Sequence, residues 1–309
     1  MKKPIIVLTG PTASGKTAIS YEIAEKFNCE IICTDSMTIY KHLDIGTDKP
    51  TLEKLNTESD AQNPDGSYTI RGIKHHLLNI VEPNEEFNVA IFKNTVEKII
   101  SEIHSRGNTP LLVGGSVMYL DSLIYNYQFP DVKPNQNLRD ELEKLSTEEL
   151  FAKLCEIDPD CEWTIDKNNR RRLIRAIEVH SSQDFQAATK EQLPKNVLYL
   201  AVDRDREELY LKINKRVDEM FAEGFVEEVN TVFNKYGDCK ALEAAGYKQI
   251  IQYLNKELTL EEAIFKTKQV HRNYAKRQLT WLRRNKDITW ISTPEEASKT
   301  ISGFLTTNY

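Results

Sequence analysis

The chain has 309 residues, 40% hydrophobic and 28% charged, with a formal net charge of −6. These values exclude a disordered or fibrous protein and allow one large domain or two. No apolar run approaches a membrane span, and Cys29, Cys33, Cys155, Cys161 and Cys239 form no C-x-x-C pair, so the expectation is reduced, buried thiols in a cytoplasmic protein; a monomer is expected.

Pro4 to Thr9 is a short apolar run suited to a buried strand. With Met1-Lys2-Lys3 before it, it imitates a signal peptide, but the apolar stretch is too short. Gly10-Pro11-Thr12-Ala13-Ser14-Gly15-Lys16-Thr17 follows and fits G-x-x-x-x-G-K-[ST]. Ala18 to Phe27 reads as a helix, with Ile19, Ile23 and Phe27 four apart. Strand, glycine loop and helix is the context in which this pattern cradles phosphate through backbone N–H groups. Lys16 adds a point charge, and the Thr17 hydroxyl can hold Mg²⁺. The pattern predicts a bound di- or triphosphate group without saying which, or what becomes of it.

Cys29 to Cys33 reads as a second strand leading into Thr34-Asp35-Ser36. Ligands of open parallel sheets sit beyond the carboxyl ends of the strands. Asp35 falls at that edge. Its carboxylate can accept a proton, hold Mg²⁺ through water, or simply close an Asx turn. Residues 59–69 are polar, contain Asn63-Pro64-Asp65-Gly66, and read as a surface insertion. The adjacent His75 and His76 lie far from paired cysteines, so a structural role is expected rather than zinc binding. Phe87 to Arg106 has helical periodicity stopped by Gly107, and Thr109 to Val113 is another buried strand closed by Gly114-Gly115.

The pattern changes near Pro130 and Pro134. Asn135 to about Ser181 is helical throughout, and strand character returns at Val197 to Val202. Helices then run from Arg204 to Phe221, from Phe225 to Phe233 and from about Leu260 to Arg284. Asp287 to Ile291 reads as a last strand before a short C-terminal helix. The predicted fold is α/β: a P-loop NTPase-like parallel sheet with helices on both faces and an inserted helical subdomain. Residues 1–130 and 195–309 form the core, the latter carrying the C-terminal helices, and residues 131–194 form the insertion.

Residues 263–286 carry eight Lys/Arg and no acid, and residues 167–175 carry five Lys/Arg and no acid. Removing their combined +13 from the net −6 leaves −19 for the rest of the chain. Such segregation predicts local basic surfaces on an acidic body, a pattern suited to nucleic acid.

At this point a resemblance becomes specific. Asp35-Ser36-Met37-Thr38-Ile39-Tyr40-Lys41, continuing to Asp44-Ile45-Gly46-Thr47-Asp48-Lys49-Pro50, resembles the D-S-x-x-x-Y-K-x-x-D-I-G-T-x-K-P pattern of tRNA dimethylallyltransferases (tRNA isopentenyltransferases) of the bacterial type. Leu112 to Ser116 looks like that family's V-G-G-T/S strand end. Arg171 to Glu178 resembles its R-L-x-R-A-x-E helix, Ala245 to Gln249 its G-Y-[RK]-Q motif, and Lys276 to Arg283 its K-R-Q-x-T-W-x-R helix. The matches run in family order over nearly the whole chain. Three features depart from the pattern: Val117 follows Gly114-Gly115-Ser116 where another glycine is common, residues 59–69 look long, and residues 181–193 lack a T-G-K-P-like turn.

The resemblance implies prenyl transfer from dimethylallyl diphosphate to the exocyclic amine of the adenosine immediately 3′ of the anticodon, with release of diphosphate. It implies Asp35 as the base, Lys16 and Arg216 as diphosphate clamps, Thr17 as the Mg²⁺ ligand, and Gly10 to Thr17 as the phosphate site. The partner is the anticodon stem-loop of tRNA. The residues implied to meet it are Asp35, Ser36, Met37, Thr38, Ser116, Arg139, Arg171, Arg172, Leu173, Ile174, Arg175, Gly246, Tyr247, Lys248, Lys276, Arg277, Gln278, Thr280, Trp281 and Arg283. Tyr247 and Trp281 could stack on bases or pack in the core. A P-loop small-molecule or nucleoside kinase is the competing reading, with Arg170 to Arg175 imitating a lid. An RNA-binding protein with a vestigial nucleotide site is a third, disfavoured by an intact Lys16, Thr17 and Asp35.

Overall fold

Ile5, Ile6, Val7 and Leu8 follow one another without a polar interruption, and the strand they form lies deep in a sheet covered on both faces. The computed structural model describes residues 3–50, 60–130, 132–182, 189 and 191–308. The chain divides into Met1–Tyr125 with Gln192–Tyr309, and Asn126–Glu191.

In the larger unit the strands are, in chain order, β1 (Ile5–Thr9), β2 (Cys29–Cys33), β3 (Ala61–Gln62), β4 (Tyr68–Ile70), β5 (Ile73–His76), β6 (Thr109–Val113), β7 (Val197–Val202) and β8 (Thr289–Ile291). Their spatial order is β3-β4-β5-β2-β6-β1-β7-β8. From β5 to β8 every neighbouring pair is parallel, whereas β3–β4 and β4–β5 are antiparallel. The expected parallel sheet is therefore the core of a mixed one. The polar stretch read as a surface insertion supplies antiparallel edge strands, because the Asn63-Pro64-Asp65-Gly66 turn folds Ala61–Gln62 back on Tyr68–Thr69. Residue 59 of that stretch, and residues 183–188 and 190 of the segment lacking the expected turn, lie outside the described residues.

Helices α1 (Lys16–Lys26), α2 (Val89–Ser105) and α3 (Val117–Ile124) fall before the second unit. After it come α8 (Arg206–Ala222), α9 (Phe225–Tyr236), α10 (Tyr247–Leu254), α11 (Leu260–Leu282) and α12 (Pro294–Asn308). Ile6, Leu8, Ile31, Leu111, Leu200 and Val202 pack one sheet face against Ile19 and Ile23 of α1 and Ala297 and Ile301 of α12. Val7, Ile32, Leu112 and Tyr199 alternate with these and face the other way. There α2 lies against β6, and the Tyr199 hydroxyl donates to Asp121 Oδ1 of α3 at 3.1 Å. Each such aliphatic side chain contributes about 1.5–3 kcal/mol by leaving water. Caps fix the long helices: Asn88 accepts from the Ala90 and Ile91 N–H groups, and Thr259 with Glu262 forms a capping box at α11.

The unit Asn126–Glu191 contains α4 (Gln136–Leu142), α5 (Thr147–Ile157), α6 (Cys161–Thr164) and α7 (Arg170–His180) around Leu142, Leu150, Leu154, Leu173, Ile174 and Ile177. Cys155 and Cys161 form a disulfide, which corrects the expectation of reduced thiols throughout. The turn from α5 into α6 brings their Cα atoms to 5.6 Å, within reach of such a bond.

The loop Asp44–Lys49, whose Thr47 and Asp48 border the main cavity, is held from two sides. Glu228 of α9 accepts from the N–H groups of Asp44 (2.7 Å), Ile45 (2.6 Å) and Gly46 (3.1 Å), and from the Tyr247 hydroxyl (2.8 Å). Lys49 is fully buried and donates to Tyr40 O, Asp44 Oδ1 and Asn79 Oδ1. A Cβ on Gly46 would lie 2.2 Å from Phe225 Cε2. That ring cannot retreat, being fully buried edge-on against Tyr247. Gly46→Ala is accordingly expected to cost about 1–3 kcal/mol of stability by overpacking. Urea unfolding of the two proteins measures it, and an unchanged midpoint would contradict this packing.

Candidate active site

The phosphate loop is a tight backbone structure. Gly10, Ala13 and Gly15 have positive φ (147°, 61° and 89°), and Gly15 starts α1 in the left-handed region with no side-chain cap. The first N–H groups of α1 are thus left facing the loop's concavity, where an anion satisfies them. Lys16 Nζ donates to the carbonyls of Gly10 (2.9 Å) and Pro11 (2.7 Å), folding over the loop. Burial lowers its pKa to about 8, with the Asp35 charge opposing and Arg216 adding to the fall. Thr17 is exposed at the helix start.

Three side chains brace this loop from elsewhere. Arg216 of α8 donates to Thr12 Oγ1 at 3.0 Å and lies 3.4 Å from Asp48 Oδ2. Arg204, just beyond β7, donates to Ser14 O (3.1 Å) and Ser292 O (2.6 Å). Gln278 of α11 accepts from the Thr12 N–H at 2.9 Å and donates to Gly115 O at 2.9 Å.

Asp35 lies beyond β2. Its Oδ1 accepts from the Met37 N–H at 2.8 Å, so the Asx turn is present, and its side chain also lines the cavity. Ser116 Oγ, beyond β6, accepts from the Ser36 N–H at 2.9 Å, tying the two strand ends together. Tyr274 of α11 stands beside Ser116 and Gln278, and burial together with the Asp35 carboxylate pushes its phenol well up.

Two cavities meet here. The first, about 440 Å³, joins Thr12 to Thr17 with Asp35 and Arg216, and extends past Ala18, Ile31, Leu78 and Val113. The second, about 370 Å³, is lined by Ser36, Met37, Lys240, Ala244, His271 and Arg277. Both are bounded by Thr12, Asp35, Thr47, Arg216 and Tyr274.

Several residues implied to meet RNA are placed otherwise. Leu173 and Ile174 are core residues of the helical unit, where the α7 stripe packs inward. Arg139 grips Glu178 with two bonds, at 2.9 and 2.8 Å, and Arg175 bonds the same carboxylate at 2.5 Å, so both hold that unit together. Tyr247 is fully buried with its hydroxyl on Glu228, which removes it as a stacking surface. Gly246 is buried at positive φ against Phe225, Thr267 and His271. Gln278 is buried with its amide between two backbone loops, and what remains of its surface borders the first cavity. Thr38 is buried, with its hydroxyl on Asp35 O, and borders the first cavity beside Asp35. Lys248, Lys276, Arg277, Thr280, Trp281 and Arg283 are exposed, as are Arg171 and Arg172 in the other unit. Trp281 is anchored by its indole N–H to Asp121 Oδ2 at 3.0 Å.

Arg204, Glu228 and Tyr274 escaped the sequence reading. Tyr274 precedes Gln278 by four residues on one helix face, and Arg204 follows a strand at the ligand edge. Both signals were present in the spacing. The Glu228 contacts join segments some 180 residues apart, and no local pattern announces them.

The fold and site define a class: a phosphate-loop α/β protein in which an anion cradle and a carboxylate share one cavity with apolar walls. The IPP transferase family model matches residues 38–285, and an isopentenyl transferase model matches residues 3–61. The chain belongs to the IPP transferase family. It is 41% identical to the tRNA dimethylallyltransferase of Anoxybacillus flavithermus, over 96% of this chain and 92% of that one. It is 40% identical to the tRNA dimethylallyltransferase of Bacillus anthracis, over 94% and 91%. Among solved structures, the tRNA isopentenylpyrophosphate transferase of Bacillus halodurans superposes with a TM-score of 0.73 at 35% identity, covering 99% of this chain and 98% of that one. A eukaryotic dimethylallyltransferase acting on tRNA superposes with a TM-score of 0.74 at 27% identity, covering 94% and 74%.

The lowered pKa of Lys16 gives a pH prediction. Its ammonium is charged below about pH 8 and loses that charge as pH rises through 8. A bound diphosphate favours the charged form, so binding takes up a proton near this pH, and affinity falls by up to about tenfold per pH unit above it. Calorimetry with inorganic diphosphate, in buffers of different protonation enthalpy, reads both effects. Binding without proton uptake, and unchanged in affinity across this range, would sink the account.

Proposed function

We propose that this protein is a tRNA prenyltransferase that moves a dimethylallyl group from dimethylallyl diphosphate to the exocyclic amine of the adenosine 3′ of the anticodon. The observation that carries the reading is the meeting of two cavities at Asp35, one with the phosphate loop and apolar walls, the other beside Ser36, Met37 and exposed Arg277. A donor with an anionic head and an apolar tail fits the first. A base flipped out of an RNA loop fits the second. The names of the relatives favour prenyl transfer over the kinase alternative.

The amine nitrogen attacks the first carbon of the allyl group. The bond from that carbon to oxygen breaks, and diphosphate leaves with the electron pair. The proton of the amine passes to the Asp35 carboxylate. An adenine amine is a weak nucleophile because its lone pair is delocalised, so a placed base contributes about 10²–10⁴-fold. The loop N–H groups, Lys16 and Arg216 face the charge that builds on the leaving group.

Thr17 offers a hydroxyl at the cradle's rim, a hard oxygen donor suited to Mg²⁺. Among the described residues no group of three or more His, Cys, Asp or Glu could hold a metal by itself, which fits an ion held mainly by Thr17, water and the substrate's own phosphate oxygens. When bound, Mg²⁺ supplies charge neutralisation on the diphosphate.

Exposed Lys276, Arg277 and Arg283 on and beside α11 supply phosphate contacts to tRNA, and Arg171 and Arg172 supply others. No described helix is long and apolar enough to cross a membrane. A monomer working on tRNA in the cytoplasm is the setting this reading implies.

The test is transfer of labelled prenyl from dimethylallyl diphosphate to an anticodon stem-loop. Asp35→Asn is expected to lower kcat by about 10²–10⁴-fold with tRNA affinity largely kept. A variant turning over near the normal rate would remove Asp35 from the chemistry, and phosphoryl transfer without prenylation would favour the kinase. Replacing Lys276, Arg277 and Arg283 together by Ala should weaken tRNA binding and flatten its log–log salt dependence by about 2–3. An unaltered slope would put the RNA surface elsewhere.

A further inference from the structure

The first cavity has a floor, and its position bears on which donors fit. From the phosphate loop the cavity runs along α1, between that helix and β5, the last parallel strand on that side of the sheet. Thr17, Ala18, Ser20 and Tyr21 border it from the helix, and His75 and Leu78 border it from the sheet side. A larger space of about 810 Å³ continues in the same groove. It is lined by Glu22 and Glu25 farther along α1 and by Arg71, Ile73 and Lys74 around the β4–β5 turn. Ala18 and Tyr21 border both spaces. Tyr21 lies one helical turn beyond Thr17, about 6 Å along the axis.

The Tyr21 ring is held from across the groove. Its centroid is 5.6 Å from that of His75, with the planes inclined at 53°. The Arg71 guanidinium carbon lies 5.0 Å from the same centroid. His75 is in turn fixed by its Nδ1, 2.9 Å from Ile73 O, and is 3% exposed. Burial lowers its pKa to about 4, so at neutral pH an uncharged ring forms this part of the wall.

We propose that Tyr21, clamped between His75 and Arg71, sets the length of the allylic chain accepted, by closing the groove between α1 and β5 against a second isoprene unit. The inference rests on the reading of the first cavity as the donor site. With the diphosphate in the loop and the reacting carbon beside Asp35, a five-carbon tail ends among Ala18, Ile31 and Val113, before the tyrosine. A ten-carbon tail must pass it. Removing the ring merges the two spaces and opens a path for the longer chain.

The experiment compares dimethylallyl and geranyl diphosphate as donors to an anticodon stem-loop, for the wild type, Tyr21→Ala, Tyr21→Leu and Tyr21→Phe. The readout is the ratio of kcat/KM for the two donors, which cancels any general loss of activity. The ratio is expected to shift toward geranyl by about tenfold or more in Tyr21→Ala, and less in Tyr21→Leu, since pocket size discriminates by factors of that order. Tyr21→Phe keeps the wall and should keep the wild-type ratio. If Tyr21→Ala does not fold, Tyr21→Leu carries the test. If a folded variant transfers neither group, calorimetric affinities for the two diphosphates give the ratio. A ratio unmoved in Ala and Leu overturns the length-setting role. Absence of dimethylallyl transfer by the wild type would instead overturn the donor-site reading itself, so the two failures are distinct.

Discussion

The side-chain amide of Gln278 is the constraint on which the site depends. Its oxygen holds the Thr12 N–H, and its nitrogen holds the Gly115 carbonyl. It thereby fixes the loops after β1 and β6 relative to each other and to α11. Leaving either buried backbone group unpaired would cost about 1–3 kcal/mol. The contact needs Gly115 to be glycine, because a Cβ there would stand 2.3 Å from Gln278 Nε2. The helix that carries this amide also carries Tyr274 and the exposed Lys276 and Arg277. Anion cradle, cavity wall and basic surface are therefore positioned by one rigid element.

A second brace acts on the other side. Glu228 collects three consecutive backbone N–H groups of the Asp44–Gly46 loop and the Tyr247 hydroxyl, and buried Lys49 closes the loop from within. Asp48, beside Arg216, projects from this loop. The residues that look most family-like between Asp44 and Lys49 thus serve first to shape backbone. Through Asp48 and Thr47 the same loop reaches Arg216 and the cavity wall. A buried, fully bonded polar network of this kind gains strength from the low local dielectric, and tolerates little change.

Charge is sorted to match. Acid-free stretches of the sequence become partly surface and partly scaffold. Lys276, Arg277, Arg283 and Arg284 face solvent, whereas Arg272 bonds Asn214 and Lys268 pairs with Asp218 on α8. In the helical unit Arg170 caps carbonyls of Glu143 and Leu145, and Arg139 and Arg175 neutralise Glu178. Burial of that carboxylate opposes ionisation, and its hydrogen bonds from Arg139, the Asn135 backbone and Arg175 still bring its pKa below the usual carboxylate range. Net charge alone, acidic overall, would have pointed away from an RNA partner.

The strands β1, β2, β6, β7 and β8, the helices α1, α2, α8, α9 and α11, the phosphate loop, the place of Asp35 at a strand end and the helical stretch in mid-chain were legible in the sequence, because each is announced by contiguous residues: an apolar run, a glycine spacing, a 3.6-residue period. The strands β3, β4 and β5 were not, since Ala61–Gln62, Tyr68–Ile70 and Ile73–His76 are too short for alternation to register, and neither were α3 and α10, each only about two turns long. Side-chain roles divided the same way. Tyr247, Gln278, Leu173 and Ile174 sit inside recognisable motifs, yet a motif states which residues recur and not which way they point. Their inward orientation was decided by packing against Glu228, Gly115 and the helical core. Tyr21 and His75, separated by more than fifty residues, face each other only once α1 packs against β5. Sequence sets local conformation through bonds and near neighbours. Distance between remote residues is set by burial of the whole chain, and only the folded structure carries it.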